Sequence, residues 1–168
     1  MPYSLTQVPS PFTPPPALQA HLDRYPMEYG AQGRTTQKWA GNVTVWQIAS
    51  DSCPECGYAW WWPRRSDPTA REIAIAVFDP RSGQGAASAA LQRFETVAAA
   101  SGITALCGQV NGNRAETGLR VRNWLTKHEF RLFDRSTIPF WPQLSDGDYL
   151  RRYPFPVYLR KTITPASR

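Results

Sequence analysis

The order of hydrophobic and polar positions predicts a chain that mixes strands and helices. Residues 42–50 alternate β-branched and aromatic side chains between two faces, which is typical of a strand. A turn is predicted at 53–57, followed by an aromatic strand over 58–62 that ends before Pro63. Residues 71–78 form a nearly continuous apolar run, which predicts a third strand buried on both faces, as a central strand is.

Helical spacing of apolar residues begins after a glycine-rich turn. It predicts a helix over 86–101 that Gly102 ends, and a second long helix over 113–128. A short helix is predicted at 17–25. Further strands are predicted at 104–110, 130–134 and 157–163. This order is a mixed α/β plan in which a crossover helix joins the third and fourth strands.

The N-terminal segment differs in composition from the rest of the chain. Residues 1–16 contain six prolines, so we expect an extended arm and not a strand. Residues 17–168 are expected to form a single domain, because 168 residues suffice for one hydrophobic core.

The charge distribution indicates the kind of binding partner, and the cysteine content indicates the cellular compartment. Residues 1–60 carry three Lys and Arg against four Asp and Glu, whereas residues 61–168 carry sixteen against nine, a net charge of +7. This excess favours a polyanionic partner such as coenzyme A or nucleic acid. Three cysteines, an odd number, favour a reducing compartment. With neither a leader pattern nor a membrane-spanning apolar run, we expect a cytoplasmic protein without membrane contact.

The strongest chemical signal lies where the third strand leads into the long helix. Gly83 and Gly85 precede the small residues Ala86 and Ala87. Glycines at a helix start let several backbone N–H groups converge on one anion, and the helix dipole favours negative charge there. The pattern predicts a phosphate-binding turn, although many similar loops are only tight turns.

The order of these pieces over about residues 42–163 resembles the GNAT superfamily of N-acyltransferases. The family's signature joins a buried strand, a turn Arg/Gln-x-x-Gly-x-Gly/Ala, a helix, a strand, an asparagine-containing loop, a second helix and a closing Gly-Phe. Gly85 and Ala87 match the turn. The loop is matched by Asn111 or Asn113, and Glu129-Phe130 stands where Gly-Phe is expected.

The resemblance implies a mixed, mostly antiparallel sheet that splays at the site of an acyl-coenzyme A co-substrate. It implies transfer of an acetyl or other acyl group to an amine, with a backbone N–H near Phe78 stabilising the oxyanion. The positions implied to contact the co-substrate are Val77, Phe78, Ser82, Gly83, Gln84, Gly85, Ala86, Ala87 and Asn113.

Two positions depart from the family pattern. Ser82 stands where the family usually has Arg or Gln, so the backbone amides must hold more of the pyrophosphate, or Arg81 must substitute. Leu125 stands five residues before Phe130, where many relatives have a tyrosine that protonates the leaving thiolate. Loss of that acid slows the reaction without forbidding it, because a coenzyme A thiolate is a fair leaving group.

Glu72 is the candidate general base, because it is a carboxylate on the central strand. The alternative is a surface residue that pairs with Arg71 or Arg93. His128 ranks below it, since a histidine at a helix C-terminus more often interacts with the last carbonyls. Cys107 is expected to be an inert, buried thiol.

Cys53 and Cys56 have the spacing of half a zinc site, but only Cys107, His21 and His128 could complete it. We therefore expect no metal, and interpret the pair as part of a hairpin turn.

The resemblance implies an amine acceptor whose identity the sequence does not give. One alternative is an acyltransferase that acts on an amino-modified nucleobase or on a protein bound to nucleic acid. Trp60 and Trp62 alternate with Trp61, so one face of that strand could stack a flat acceptor. Loop aromatics and arginines could add to such a surface: Phe140, Trp141, Tyr149, Tyr153, Phe155, Arg64, Arg65, Arg114, Arg120, Arg122, Arg151 and Arg152. A further alternative is a GNAT-like binding module that has lost catalysis.

Overall fold

Seven strands and three helices make up the part of the chain described by the computed structural model, which comprises residues 3–24, 42–78, 83–110, 115–132 and 157–166. The strands are β1 (Ser4–Val8), β2 (Thr44–Ser50), β3 (Cys53–Arg64), β4 (Asp67–Val77), β5 (Ala105–Val110), β6 (Arg131–Leu132) and β7 (Val157–Thr162). The helices are α1 (Pro16–Arg24), α2 (Ala86–Ala100) and α3 (Ala115–Lys127).

All seven described strands belong to one sheet, in the order β1-β2-β3-β4-β5-β7-β6. Every neighbouring pair is antiparallel except β4 and β5, which are parallel and joined through α2. The mixed, mostly antiparallel sheet and the central position of β4 confirm the predicted fold class. The crossover helix predicted between the third and fourth strands of the sequence is α2.

The N-terminal segment contains a strand, so the prediction that residues 1–16 hold none is wrong. Ser4–Val8 pairs antiparallel with β2 through five residue pairs at the edge of the sheet. The six residues between Pro2 and Pro9 include no proline, and an edge strand needs hydrogen bonds on one side only. The flanking prolines therefore bound the strand without breaking its ladder.

The first hairpin turn lies earlier than predicted. Asp51 and Ser52 make the turn, whereas Cys53 already begins β3. Asp and Ser favour turns because their side chains can bond nearby backbone groups. Pro54 is tolerated in the strand because the β2–β3 register shifts there and pairing with β4 starts only at Gly57.

The aromatic strand buries both of its faces, each under a different helix. On one face Trp46, Trp61 and Phe94 of α2 form an aromatic cluster with ring centroids 5.1 to 5.4 Å apart. On the other face Trp60 packs with Leu18 and other residues of α1. The helix predicted at 17–25 is thus confirmed, and it packs on residues of β2, β3 and β4.

The parallel ladder between β4 and β5 is short. It pairs Ala70 with Ala105, Arg71 with Leu106 and Glu72 with Cys107. No pairing joins the described residues 73–77 of β4 to 108–110 of β5, although β5 stays paired with β7 as far as Val110. The two strands therefore part after Glu72 and leave a wedge that opens towards their carboxyl ends, as the predicted splay requires.

A residue in the left-handed conformation follows α2 and another follows α3, close to the positions where the sequence predicts these helices to end. Gly102 has φ 69° beyond the end of α2, and the Ile103 N–H donates to the Ala98 carbonyl. After α3, Glu129 has φ 68° and Phe130 is fully buried. Glu129 thus adopts the left-handed conformation that the glycine of a Gly-Phe pair would adopt.

We predict that Gly57→Ala destabilises the fold far more than Gly108→Ala. A Cβ on Gly57 would overlap the backbone carbonyl oxygen of Ala76 in the neighbouring strand, and backbone cannot move aside. A Cβ on Gly108 meets the Leu125 Cδ1 at 3.3 Å, which is the end of a side chain. Denaturant titration should show a loss of about 3 kcal/mol for Gly57→Ala and less than about 1 kcal/mol for Gly108→Ala. Equal losses would contradict this packing.

Candidate functional site

The glycine turn adopts the conformation that its sequence predicts. Gly83 has φ 85° and Gly85 has φ 94°, and Gly85 is the N-cap of α2. A Cβ built on either residue meets no atom within 4 Å, so both glycines border open space. The turn therefore presents backbone without side chains to whatever occupies that space.

The first turn of α2 offers a set of backbone donors. The first hydrogen bond of the helix runs from Ala89 N–H to the Gly85 carbonyl. The helix itself thus provides no acceptor for the N–H groups of Ala86, Ala87 and Ser88, and Gly85 has no side chain to cap them. Such an N-terminus, with the positive end of the helix dipole, suits a phosphate.

The backbone of β4 directs alternate residues towards the wedge. Phe78 N–H donates to the Cys56 carbonyl at 2.8 Å, so Phe78 faces β3. In an antiparallel pair the next residue faces the opposite way, which directs the N–H of Val77 towards β5. Thr69 lies an even number of residues before Val77, so its backbone groups point to the same side of β4. Its carbonyl indeed accepts from the Thr104 N–H just before β5. The Phe78 N–H is therefore engaged with β3, and of the two residues Val77 is the one whose N–H is directed towards the wedge.

Glu72 lies at the vertex of the wedge, at the last residue pair that β4 makes with β5. Its Oε1 accepts from Arg64 at 3.2 Å, and the two side chains are 20% and 16% exposed. Burial raises the pKa of the Glu72 carboxyl, and the Arg64 charge opposes that rise.

The alternative prediction for Glu72 was a surface ion pair with Arg71 or Arg93, but its partner in the structure is Arg64. Arg71 instead donates to the carbonyls of Pro68 and Ala70. The carboxylate is also largely buried and not at the surface, because it points from a central strand.

Cys107 is the register partner of Glu72 on β5. Its side chain is 2% exposed, and burial raises the pKa of the thiol in spite of the nearby cations Arg64 and Arg160. Arg160 is itself tied to Asp67 at 3.0 Å. A buried thiol with a raised pKa is a poor nucleophile, which agrees with the inert role expected of Cys107.

Leu125 belongs to the core and is only 5% exposed. It lies close to Gly108 on β5, since a Cβ on that glycine would approach its Cδ1 to 3.3 Å. The side chain has no dissociable proton, so this position of α3 cannot act as an acid.

The sequence did not predict a polar contact that joins the first turn of α2 to the end of α3. Ser88 Oγ lies 3.2 Å from His128 Nε2 and accepts a hydrogen bond from the Trp124 indole N–H at 3.2 Å. The imidazole therefore reaches the first turn of α2. The sequence had predicted that it would interact with the last carbonyls of α3 instead. Nothing in the sequence relates Ser88 to a histidine 40 residues away.

The proposed stacking face does not form at Trp60. Trp60 and Trp61 are 2% and 5% exposed, because helices cover both faces of β3. Of the arginines, Arg122 is buried and Arg64 is bound to Glu72. The loop aromatics Phe140, Trp141, Tyr149, Tyr153 and Phe155, together with Arg114, Arg151 and Arg152, lie outside the described residues.

Other predicted site residues also lie outside the described ranges. They are Ser82, its possible substitute Arg81, and both loop asparagines, Asn111 and Asn113. Gln84 lies within them, in the exposed turn between the two glycines.

Cys53 and Cys56 lie in β3 as free thiols, and Cys56 donates to the Cys53 carbonyl at 3.0 Å. Among the residues that the structure describes, no group of three His, Cys, Asp or Glu side chains is placed to hold a metal ion. Within those same ranges, none of the helices has the length and apolar character that a bilayer crossing needs.

Comparison with known proteins gives matches at the level of structure only. No family model and no curated protein sequence matches the chain. A GCN5-related N-acetyltransferase from Kribbella flavida superposes with a TM-score of 0.66 at 14% identity, over 96% of this chain and 98% of that one.

Two further structures extend the likeness to distant organisms. An acetyltransferase from Thermus thermophilus has a TM-score of 0.61 at 13% identity, covering 97% of this chain and 98% of its own. Tetrahymena GCN5 has a TM-score of 0.57 at 12% identity, covering 90% and 87%. At such identities the likeness establishes the fold, which is that of the GNAT proteins.

We predict that Glu72→Gln changes how stability depends on pH. Because the folded-state pKa of Glu72 is raised, this carboxyl binds more protons in the folded protein than in the unfolded chain, so its contribution to wild-type stability falls as pH rises from the ordinary glutamate range through the raised pKa. Glutamine abolishes that fall. Urea titrations across this window should therefore show the stability of the variant, relative to wild type, increasing with pH.

Glu129→Gln is the matched control, since the Glu129 side chain is 76% exposed. If Glu72→Gln and Glu129→Gln follow the same pH dependence, burial does not control the Glu72 carboxyl.

Proposed function

On the premise that the chain has the GNAT fold, we propose that it is an acyl-coenzyme A-dependent N-acyltransferase that transfers an acyl group, acetyl in the first instance, to an amine. One observation carries the proposal: the β4–β5 wedge ends at a half-buried carboxylate and opens beside a glycine-turned helix N-terminus. A candidate anion site at the start of α2, a slot for an extended chain along β4 and a candidate base at Glu72 thus follow one another.

The pyrophosphate of the donor is assigned to the first turn of α2. The N–H groups of Ala86, Ala87 and Ser88 supply donors, and the bare backbone at Gly83 and Gly85 allows close approach. The fit rests on the absence of any Cβ at those two glycines. The same donors serve in place of the family's Arg or Gln at position 82.

The pantetheine arm is assigned to the wedge. From Val77 to Glu72 the strand spans roughly 16 Å, a distance that an extended chain with two amide groups covers. Backbone groups of β4 that point towards β5, such as the Val77 N–H, are suited to pair with those amides. The thioester is then brought towards the vertex, where Glu72 lies.

Transfer is proposed as direct attack of the amine on the thioester. The nitrogen forms a bond to the acyl carbon, the carbon–sulfur bond breaks, and Glu72 takes the proton directly or through water. Backbone N–H groups that face the wedge stabilise the oxyanion. Leu125 donates no proton, so coenzyme A leaves as the thiolate and is protonated by solvent.

Leu125 also favours a second candidate, a binding module that retains the donor site without turnover. Isothermal titration with coenzyme A and a thiol-release assay with acetyl-coenzyme A and a panel of amines separate the two. Binding with release supports the enzyme, and binding without release supports the module. No binding at all contradicts both.

We predict that Gly85→Ala weakens coenzyme A binding, whereas Gly102→Ala does not. The two glycines have φ 94° and 69° at opposite ends of α2, and neither has an atom within 4 Å of a built Cβ. Both variants should lose about 1–2 kcal/mol of stability from left-handed strain. The new methyl of Gly85→Ala alone occupies the proposed anion site, so affinity should fall about tenfold or more, equivalent to about 1.4 kcal/mol. Gly85→Val should abolish binding.

Calorimetry at a temperature where both variants are folded is the measurement. If Gly85→Ala and Gly102→Ala bind coenzyme A equally well, the glycine turn has no part in the mechanism.

We predict, as a finer proposal, that the acceptor carries its amine on an anionic, ring-containing scaffold such as nucleic acid. The net charge of +7 beyond residue 60 supports it, while the burial of Trp60 removes one of its candidate stacking residues. Each phosphate contact should contribute about 0.7 to 0.9 to the log–log salt dependence of binding. Titrations with single- and double-stranded DNA, with coenzyme A saturating, measure that slope. Undetectable affinity at low salt would leave a small-molecule or protein amine.

A further inference from the structure

We infer that Arg64 is the positioning residue of the proposed reaction, holding the Glu72 carboxylate in place and ionised so that its second oxygen can accept the proton of the amine. The inference rests on the proposed function, because it assigns Glu72 the role of general base. From the sequence, Arg64 was predicted only to belong to a basic surface.

The β3–β4 ladder is irregular beside Arg64. Pro63 pairs with Arg71, but Arg64 pairs with Asp67, so residues 68–70 of β4 have no partner across the ladder. With an unbroken register Arg64 would lie opposite Ala70. Proline lacks the N–H that a regular ladder needs, and bulges beside functional sites commonly redirect a side chain.

The guanidinium of Arg64 is held by at least two hydrogen bonds. Its Nε donates to Ser66 Oγ at 2.9 Å, and its NH1 donates to Glu72 Oε1 at 3.2 Å. A planar guanidinium fixed in this way fixes the orientation of the carboxylate that it binds. No described residue donates to Glu72 Oε2, which leaves that oxygen for a substrate or a water.

Arg64 also has an electrostatic role at the vertex. The groups that face this region are Arg64 from β3, Cys107 from β5, Arg160 from β7 and Asp67 from the start of β4. Arg160 is neutralised by Asp67 at 3.0 Å, and the Cys107 thiol is kept protonated by burial. Burial disfavours ionisation of Glu72, and the charge of Arg64 is what opposes it.

A purely structural ion pair that braces the β3–β4 hairpin is the competing explanation. It predicts that loss of Arg64 lowers stability and lowers activity equally at every pH. A positioning role predicts a loss of kcat/KM that is large at low pH and shrinks as pH rises, because a base must be ionised to act. The shape of the pH profile therefore separates the two explanations.

The experiment compares Arg64→Met, Arg64→Lys and the control Arg65→Met, which alters an exposed arginine of the same turn. Acetyl-coenzyme A thiol release, with the best amine from the panel, is followed against pH. Arg64→Met should move the acid limb of kcat/KM to higher pH, with a loss of about tenfold or more below it. Arg64→Lys should keep the limb near its wild-type position, and Arg65→Met should match wild type throughout.

A second measurement follows the carboxyl itself without turnover. Carbon-13 spectra of glutamate-labelled protein, with the Glu72 signal assigned from Glu72→Gln, should show that carboxyl titrating at higher pH in Arg64→Met than in wild type. An unmoved limb or an unmoved carboxyl titration in folded Arg64→Met overturns the inference and leaves the proposed function intact. Wild-type protein that neither binds coenzyme A nor releases thiol overturns the proposed function instead.

Discussion

The parting of β4 from β5 is the constraint on which the rest of the site depends. A strand in the middle of a sheet normally satisfies its backbone groups on both sides, yet β4 keeps its β5 partner for only three residue pairs. Beyond Glu72 the side of β4 that faces β5 needs other hydrogen-bond partners. Water or the amides of an extended ligand can provide them. The sheet remains intact because β5 continues to pair with β7 and β4 with β3.

The same parting explains why the proposed function relies on backbone groups and on few side chains. The donors at the start of α2 are N–H groups, and the wall of the wedge is a strand edge. Neither requires a particular side chain, except that Gly83 and Gly85 must lack one. This is consistent with a fold shared with the Kribbella flavida protein at only 14% identity.

Local patterns predicted the elements and several special positions well. The apolar run of β4 indicated a central strand, and Gly102 indicated the end of α2, because burial and left-handed backbone leave direct marks on sequence. Contacts set by register were not predictable. Arg64 bonds to Glu72 across the β3–β4 ladder, and Ser88 meets His128 across the contact between α2 and the end of α3. The strand at Ser4–Val8 was missed because the surrounding prolines dominated the composition.

Glu72 illustrates how the fold sustains a group that costs stability. Burial at the vertex disfavours its ionised form, and a single nearby cation offsets that cost only in part, since the pKa of the carboxyl is still raised. A fold optimised for stability alone would place an apolar residue there, as it does at Ala74 and Ala76 on the same face of β4. An ion pair at the end of a parallel ladder adds little to packing. Its position is the one that the proposed role of Glu72 as general base requires.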